Sequence, residues 1–362
     1  MSPLRYVKKD DILRLGETDK TKSSVRCMAR REQLPPMDWT DIQAARSIVE
    51  PWTAERFQAL GDSGVIIEVP MRDGFQSSLR VYRSEPLVKR PPLVVLMHGG
   101  AFVTGDNREL AEYALALRAL YGATIVLPSY RLAPEHPFPT AQYDIWDTLD
   151  WLSQNSASIF GADLSSGFVV GGVSAGANLA ATLGQRWADE ERAPKITGLW
   201  LSIPFIFSDI HHVPVEYQDV YLSRKQNIMA PMNGEIPPTV LDLLKRDIQS
   251  PWYSPFNSFH PQPYEAMIRN ETRVYLQAAG QDFYRDDALV YERILQKHGV
   301  ETELDVYPGL PHGHFCILPF LSESRRCNSD TLSHFAWLLR RETPSLETIK
   351  AVVKTVVPSI SV

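Results

Sequence analysis

Residues 167–188 read GFVVGGVSAGANLAATLGQRWA, which is a short apolar run, an abrupt turn and a segment with helical periodicity. The turn holds Ser174 within GVSAG, residues 172–176, with a glycine two positions away on either side. Because a residue on so sharp a strand-to-helix turn crowds its neighbours, these glycines let the strand and the helix pass close together. The hydroxyl is then held out of the sheet, at the positive end of the following helix. The pattern predicts a nucleophilic serine.

Around this turn, apolar runs alternate with helical segments from about residue 64 onward. Eight β-branched or apolar runs, each bounded by Gly, Pro or charged residues, predict strands at 65–69, 79–82, 93–97, 124–127, 167–170, 197–202, 273–278 and 302–307. Five segments with a period of 3.6 residues predict helices at 109–121, 141–154, 175–188, 288–298 and 331–341. Strands separated by helices imply right-handed crossovers. We therefore expect an α/β fold with a mostly parallel eight-stranded sheet flanked by helices.

Two regions interrupt this alternation, and both could cover a site. Residues 1–60 are polar with a helical pattern, and residues 203–265 are rich in proline, aromatic residues and polar stretches. We expect them to form a helical cap over the C-terminal ends of the strands, where open α/β sheets bind ligands. A surface excursion without substrate contact is the alternative. The core then comprises residues 61–202 and 266–345, and residues 346–362 form a C-terminal tail.

The composition favours a soluble globular protein, since 44% of the 362 residues are hydrophobic and 22% are charged. The net charge of −6, with scattered Lys and Arg, gives no footprint for nucleic acid. No stretch approaches the ~18 apolar residues of a membrane span, and the first twenty residues lack a signal-peptide run, so we expect a cytoplasmic location. The sparse, odd set of Cys27, Cys316 and Cys327 is expected to remain as thiols.

A glycine-containing loop follows the predicted strand LVVLM and reads HGGAF from His98 onward. Acyl transfer produces a tetrahedral oxyanion, and backbone N–H groups fixed in advance stabilise it best. We expect Gly99, Gly100 and Ala101 to point such groups at the substrate, with Ala175 adding another from the residue after the serine. A tight turn without this role is the alternative. His98 itself is expected to stabilise the loop.

A serine hydroxyl needs a base, and the base needs a carboxylate that holds its tautomer. In this arrangement the chain order is serine, acid, histidine. Asp282 follows the strand RVYLQAA and His312 follows the strand TELDVYP, so both emerge at the same sheet edge as the serine. Asp286 and Asp287 fall where a helix begins and are better explained as capping and dipole partners. We favour Asp282 as the acid and His312, rather than His314, as the base.

A metal site built from the histidines is the competing interpretation of this region. His211, His212, His312 and His314 are available on composition alone. They lack the spacing of a zinc-binding helix such as H-E-x-x-H, so we expect no metal ion.

Three motifs together resemble the hormone-sensitive-lipase-like branch of the α/β hydrolases. HGGAF at 98–102 is similar to that family's HGGG(F/W) oxyanion loop, and GVSAG at 172–176 is similar to its G-D-S-A-G turn. YRLAPE at 130–135 matches the family's segment letter for letter and is the most specific of the three. The loops around Asp282 and His312 also resemble the acid and base positions. The resemblance covers roughly residues 90–320.

The chain departs from the family pattern at two positions. Ala101 stands where many members have a third glycine, and Val173 stands where many have Asp. The alanine keeps its N–H but reaches fewer conformations, whereas the valine side chain points away from the hydroxyl. The resemblance implies a carboxylesterase, a cap built from the N-terminal segment and an insertion, and no cofactor.

The leading hypothesis is ester hydrolysis through an acyl-enzyme. The same site could instead perform acyl transfer, lactone chemistry or a lyase step on a specialised metabolite, and fold does not decide between these. A non-catalytic ligand receptor is a third hypothesis, disfavoured because serine, acid and histidine are all present. The expected partner is a small-molecule ester, whose pocket the aromatic residues of 203–264 could line. The chain could also form a homodimer.

Overall fold

The structure is a computed structural model that describes residues 6, 8–17, 41–62, 64–85, 88–230, 232–258, 260–357 and 362. The fold is built around a central sheet. Its eight strands are β1 (Val65–Pro70), β2 (Gln76–Tyr82), β3 (Leu93–Met97), β4 (Thr124–Pro128), β5 (Phe168–Val173), β6 (Gly198–Ser202), β7 (Arg273–Ala279) and β8 (Glu301–Tyr307). The order is β1-β2-β4-β3-β5-β6-β7-β8. β1 and β2 pair antiparallel with their neighbours, and all other pairs are parallel. The predicted α/β fold with a mostly parallel sheet is confirmed.

The helices surround this sheet. Within the described residues they are α1 (Lys9–Leu15), α2 (Ile42–Gln58), α3 (Ala111–Tyr121), α4 (Thr140–Phe160), α5 (Ala175–Asp189), α6 (Val215–Gln218), α7 (Ser223–Gln226), α8 (Pro238–Leu243), α9 (Glu265–Arg269), α10 (Arg285–Lys297), α11 (His314–Ile317), α12 (Ser322–Leu338) and α13 (Leu346–Val356). Short 3-10 turns lie at Leu164–Ser166, Ile210–His212 and Pro255–Asn257. α12 begins earlier than the predicted 331–341, because its first turns bury polar side chains such as Ser324 and Asn328, which hide the apolar period.

Two apolar layers cover the opposite faces of the sheet. Every residue of β3, β4 and β6 is buried, which explains their unbroken apolar runs, since a strand covered on both faces has no polar side. One layer places α4, α5 and α10 on the first face, and the other places α3, α12 and α13 on the second. Residues 346–356, expected within a C-terminal tail, form α13 and bury Ile349 and Val353.

The insertion at residues 203–265 packs closely on the body of the protein. Phe205, Phe207 and Tyr253 are buried in the same apolar layer as α4 and α5. Trp252 lies edge-on to Trp146 of α4, with ring centroids 5.6 Å apart. The guanidinium of Arg186 on α5 lies 3.9 Å from the centre of the Trp252 ring. These contacts fix the insertion against the two helices beside it.

The N-terminal part contributes α1 and α2 to the described residues. Leu15 at the end of α1 accepts a hydrogen bond from Gly309 N (2.9 Å), next to the loop that carries His312. The rest of the predicted segment, including Cys27, lies outside the described residues. None of the helices in the described ranges is long and apolar enough to cross a membrane.

Candidate active site

The predicted nucleophile lies on a strained turn between β5 and α5. Ser174 has φ 54° and ψ −114°, a conformation that L-residues rarely adopt and that the surrounding structure must hold. A Cβ at Gly172 would lie 2.5 Å from Gly176 C, and one at Gly176 would lie 2.5 Å from His98 O. Only glycine fits at either position. The pattern GVSAG thus reflects how closely the helix approaches the neighbouring strand.

The structure brings the three predicted side chains into one hydrogen-bonded chain. His312 Nε2 lies 3.0 Å from Ser174 Oγ, and His312 Nδ1 lies 2.6 Å from Asp282 Oδ2. Asp282 is 1% exposed, and its second oxygen accepts a hydrogen bond from Tyr284 N (2.8 Å). A buried carboxylate that is held on one side can fix the imidazole tautomer and stabilise its protonated form. The arrangement can move a proton away from the hydroxyl.

The loop on the other side of Ser174 has an unusual backbone. Gly100, Ala101 and Phe102 are consecutive and have φ values of 101°, 52° and 62°. Gly100 O accepts hydrogen bonds from Val103 N (2.9 Å) and Thr104 N (3.0 Å), which close the turn. The two non-glycine residues at positive φ carry a cost on the order of 1–2 kcal/mol each. The loop is therefore held in a high-energy conformation by its surroundings.

The four predicted oxyanion donors fall into two groups. Within the described part of the chain, the N–H groups of Gly100, Ala101 and Ala175 have no hydrogen-bond acceptor. Free amides beside the serine are the groups that an oxyanion would use. The backbone of Gly99 instead faces the carboxyl group of Glu109, whose pKa is raised to about 7 by burial. Gly99 is therefore less suited to this task than the other three.

His98 and Tyr130 support the loop from below. Their rings stack with centroids 4.1 Å apart, and His98 Nδ1 lies 2.8 Å from Gly99 O. Tyr130 Oη donates to His98 O (3.0 Å) and lies 3.2 Å from Gly99 O. Burial lowers the pKa of His98 to about 4, so the ring is neutral and Nδ1–H donates to the carbonyl. This contact explains the tyrosine of the segment YRLAPE.

A short piece of the insertion, residues 232–236, lies over the acid and base loops; we call it the strap. His312 N donates to its first residue, Met232 O (3.2 Å), and Phe283 N donates to Asn233 O (2.7 Å). Its last residue donates through N–H to Tyr284 Oη (3.1 Å). These backbone hydrogen bonds tie the strap to both loops that present the candidate acid and base.

Gly234 brings the strap into direct contact with the imidazole. Its φ is +79°, and a Cβ there would lie 2.5 Å from His312 Cβ and 2.7 Å from His312 Nδ1. A side chain has no room at this position. Nothing in the local sequence MNGEI signals this contact, because the partner is far away along the chain.

Asp286 and Asp287 lie in the first turn of α10, as expected, but they do not cap it. The position before the helix is Tyr284, and no side chain caps the end. Both carboxylates are fully buried and face the insertion. They accept backbone N–H groups there: Asp286 Oδ2 from Leu222 (2.5 Å) and Ser223 (2.6 Å), and Asp287 Oδ2 from Ile206 (2.6 Å) and Phe207 (2.9 Å). Their main task is therefore to fasten the insertion.

The alternative base, His314, lies in a different environment from His312. His314 is buried with Nδ1 3.0 Å from Ser324 Oγ, and burial lowers its pKa to about 3. Such a histidine stays neutral and has no contact with Ser174. Over the ranges that the structure describes, no three His, Cys, Asp or Glu side chains are grouped to hold a metal ion.

Known proteins are similar to this chain in sequence and in fold. A family model described as the alpha/beta hydrolase fold matches residues 94–316. An AB hydrolase superfamily protein of Schizosaccharomyces pombe is 32% identical over 277 residues, 75% of this chain and 79% of that protein. Carboxylesterase NlhH of Mycobacterium tuberculosis is 30% identical over 246 residues, 65% of this chain and 70% of that protein. A hyperthermophilic esterase structure from the archaeon Pyrobaculum calidifontis aligns with a TM-score of 0.69 at 24% identity, covering 87% of this chain and 98% of that chain.

Proposed function

Because the chain belongs to the α/β-hydrolase fold family, in its hormone-sensitive-lipase-like branch, we propose that it cleaves carboxylic esters with Ser174, His312 and Asp282 through an acyl-enzyme. The chain is a carboxylesterase-type hydrolase. The observation that carries the residue assignment is the continuous hydrogen-bonded chain from Ser174 Oγ through the imidazole to Asp282.

In the first step, Ser174 Oγ attacks the ester carbonyl carbon while His312 Nε2 takes the hydroxyl proton. The carbonyl oxygen becomes an oxyanion, which the N–H groups of Gly100, Ala101 and Ala175 stabilise. Asp282 stabilises the positive imidazolium that forms. When the intermediate collapses, the bond from carbon to the alcohol oxygen breaks, and His312 gives its proton to the departing alkoxide.

In the second step, water attacks the acyl-enzyme in the same way. His312 takes a proton from the water, a second oxyanion occupies the same N–H groups, and the proton then returns to Ser174 Oγ as the carboxylic acid leaves. The direction of the proton transfers reverses between the two steps. One imidazole therefore acts as base and then as acid.

The cap assignment extends this proposal to the substrate. Residues 203–265 lie over the acid and base loops through the strap, and α2 lies beside the loop of residues 98–104. Both regions would then border the path to Ser174. Phe205 of the insertion lies edge-on to Phe102 of this loop, with ring centroids 6.0 Å apart, and such apolar surroundings favour an ester with apolar groups.

Replacing the nucleophile tests the proposal directly. Ser174→Ala should abolish turnover of p-nitrophenyl butyrate and labelling by a fluorophosphonate probe, because the acyl-enzyme cannot form. Ser202→Ala is the matched control, since Ser202 also lies at a strand end and its buried hydroxyl has no hydrogen-bond partner among the described residues. Turnover retained in Ser174→Ala would refute the assignment. Product analysis with and without an added alcohol separates hydrolysis from acyl transfer.

A further inference from the structure

Arg46 on α2 reaches across to the strained loop beside Ser174. Its Nε donates to Val103 O (2.8 Å), and its Nη2 donates to Ala133 O (2.8 Å). The remaining donors bind both carboxylate oxygens of Glu135, each at 2.8 Å. One guanidinium thus joins the N-terminal helix, the end of the loop and the segment YRLAPE.

The carbonyl groups that Arg46 binds belong to the frame of the loop. Phe102 O accepts a hydrogen bond from Ala133 N (2.9 Å), so the loop and residue 133 already form one bridge. Arg46 adds a second bridge between Val103 and the same residue. Both bridges attach at the C-terminal end of the stretch in which Ala101 and Phe102 are held at positive φ. Removing one bridge should let this stretch relax toward lower-energy φ values.

We propose that Arg46 is a positioning residue for the oxyanion donors: its guanidinium fixes the backbone of residues 100–103 so that the N–H groups of Gly100 and Ala101 point at the substrate oxygen. The inference rests on the proposed function. It also gives α2 an indirect role in catalysis, because Arg46 acts through the carbonyl groups of Val103 and Ala133. The effect acts on the transition state, since the oxyanion exists only there.

The position of α2 supports this assignment. Ile42 and Ala45 of the same helix are buried in the core. Arg56 of the last turn pairs with Glu112 on α3. Arg46 therefore projects from a helix that is fixed to the body at both ends, and its side chain is only 22% exposed. A guanidinium with a planar fork of donors can bind several fixed acceptors, which a lysine ammonium cannot reproduce.

A simple ion pair is the competing explanation. Glu135 is half exposed, and such pairs contribute little, about 0–1 kcal/mol. The two explanations predict different rankings for three variants. If only the ion pair matters, Arg46→Lys should resemble the wild type and Glu135→Gln should resemble Arg46→Met. If the two carbonyl contacts matter, Arg46→Lys should resemble Arg46→Met, and Glu135→Gln should stay close to the wild type.

The experiment measures kcat and KM for p-nitrophenyl butyrate, together with the inhibition constant of 1,1,1-trifluoro-2-pentanone. Ser174 Oγ adds to the carbonyl carbon of this ketone and forms a tetrahedral oxyanion. Because Ser174, His312 and Asp282 are the same in all these variants, a change in its affinity reports a change in the oxyanion donors. We expect Arg46→Met and Arg46→Lys to lower kcat about 10- to 100-fold with little change in KM. The inhibition constant should rise by a similar factor. A merely structural role would lower the folded fraction without changing this constant.

Arg118→Met is the matched control. Arg118 is also 22% exposed, and it ties the chain just after α2 to α3 through Asp62 (2.9 Å) instead of contacting the carbonyl groups that Arg46 binds. It should keep the kcat and the inhibition constant of the wild type. Wild-type values in Arg46→Lys, or a loss in Glu135→Gln equal to that in Arg46→Met, would overturn the inference. If Arg46→Met fails to fold, the lysine and glutamine variants still decide. Activity retained in Ser174→Ala would instead contradict the proposed function.

Discussion

The two sides of Ser174 are built on different principles. On the base side, neither Asp282 nor His312 has a positive φ, and hydrogen bonds between side chains define their geometry. On the oxyanion side, the useful groups are backbone N–H, and their directions depend on a strained loop at positive φ. The base side should therefore be sensitive to changes in functional groups. The oxyanion side should be sensitive to substitutions of residues without functional side-chain groups, and to loss of the contacts that hold the loop.

The supports of the two sides also come from different parts of the chain. The strap and the two aspartates of α10 connect the base side to the insertion. Arg46 and the stacked pair of His98 and Tyr130 hold the oxyanion side. Each side can thus be weakened by its own substitutions. The size of the loss in kcat then shows whether side-chain groups or backbone geometry matters more on that side.

The largest loss is expected on the base side, from Asp282→Asn. The amide keeps the shape but no longer stabilises the imidazolium and favours the wrong tautomer, so kcat should fall on the order of 10⁴-fold. Steady-state kinetics with p-nitrophenyl butyrate measures this. The control is Asp62→Asn, a partly exposed aspartate paired with Arg118, which should turn over normally. A loss of less than tenfold would mean that another group orients the base.

A smaller loss is expected on the oxyanion side, from Gly100→Ala. A Cβ there would lie 2.7 Å from Thr104 Oγ1 at a φ of +101°, so the turn must open and the donors must move. We expect kcat to fall about 100-fold. Gly161→Ala serves as the control, because it also has positive φ (+68°) but no atom within 4 Å of its Cβ. It should lower the melting temperature without lowering kcat. Equal kcat losses in both would contradict a local effect of the loop.

Gly234→Ala probes the strap, with an expected loss of about tenfold in kcat. The added methyl group would clash with His312, and either the strap or the imidazole must shift. Gly61→Ala matches it in φ (+73°) and has open space around its Cβ. The pH dependence of kcat and KM would distinguish the two cases, because a displaced base changes the pH profile of kcat whereas a displaced substrate changes KM. Unchanged turnover would show that the strap yields without disturbing the base.

The smallest effect on turnover is expected from Asp287→Asn, which should show itself in stability against pH. Burial raises the pKa of Asp287 to about 6, above its ordinary value of 3.8, although Arg224 and the Tyr221 hydroxyl oppose this rise. A group whose pKa is raised in the folded state stabilises the fold at low pH, and this contribution to the free energy of unfolding is lost as the pH rises from about 4 to 6. The melting temperature of the wild type, relative to the variant, should therefore be higher at pH 4.5 than at pH 7. The opposite trend would show that its donors hold it as an anion.

The sheet and the proximity of Ser174, Asp282 and His312 could be predicted from the sequence because the signals for strands and for the serine turn are local. Strands covered on both faces are continuous apolar runs, as in β3, and the GVSAG turn needs its glycines wherever it occurs. Chain order then placed Asp282 and His312 after two neighbouring strands. Asp282 could be separated from Asp286 because it lies nearer to the strand end.

Apart from His98, which was expected to stabilise its own loop, the supports could not be predicted, because each depends on a partner distant in sequence. Arg46 lies 57 positions from Val103, and an arginine on a polar helix carries no signal of a carbonyl partner. Asp286 has the sequence context of an ordinary residue in a first helical turn, and only the insertion, which is distant in sequence, supplies its hydrogen-bond partners. The positive φ of Ala101 and Phe102 was also hidden, since neither residue type favours that region.

The contact between Trp146 and Trp252 provides an intrinsic spectroscopic signal for the position of the insertion. The two indoles lie 5.6 Å apart and nearly perpendicular, one on the body and one on the insertion. Their excited states couple at this distance, and the Arg186 guanidinium lies over one ring. Near-ultraviolet circular dichroism and tryptophan emission should therefore change when the insertion leaves the body, so that its opening can be followed in solution without an attached dye.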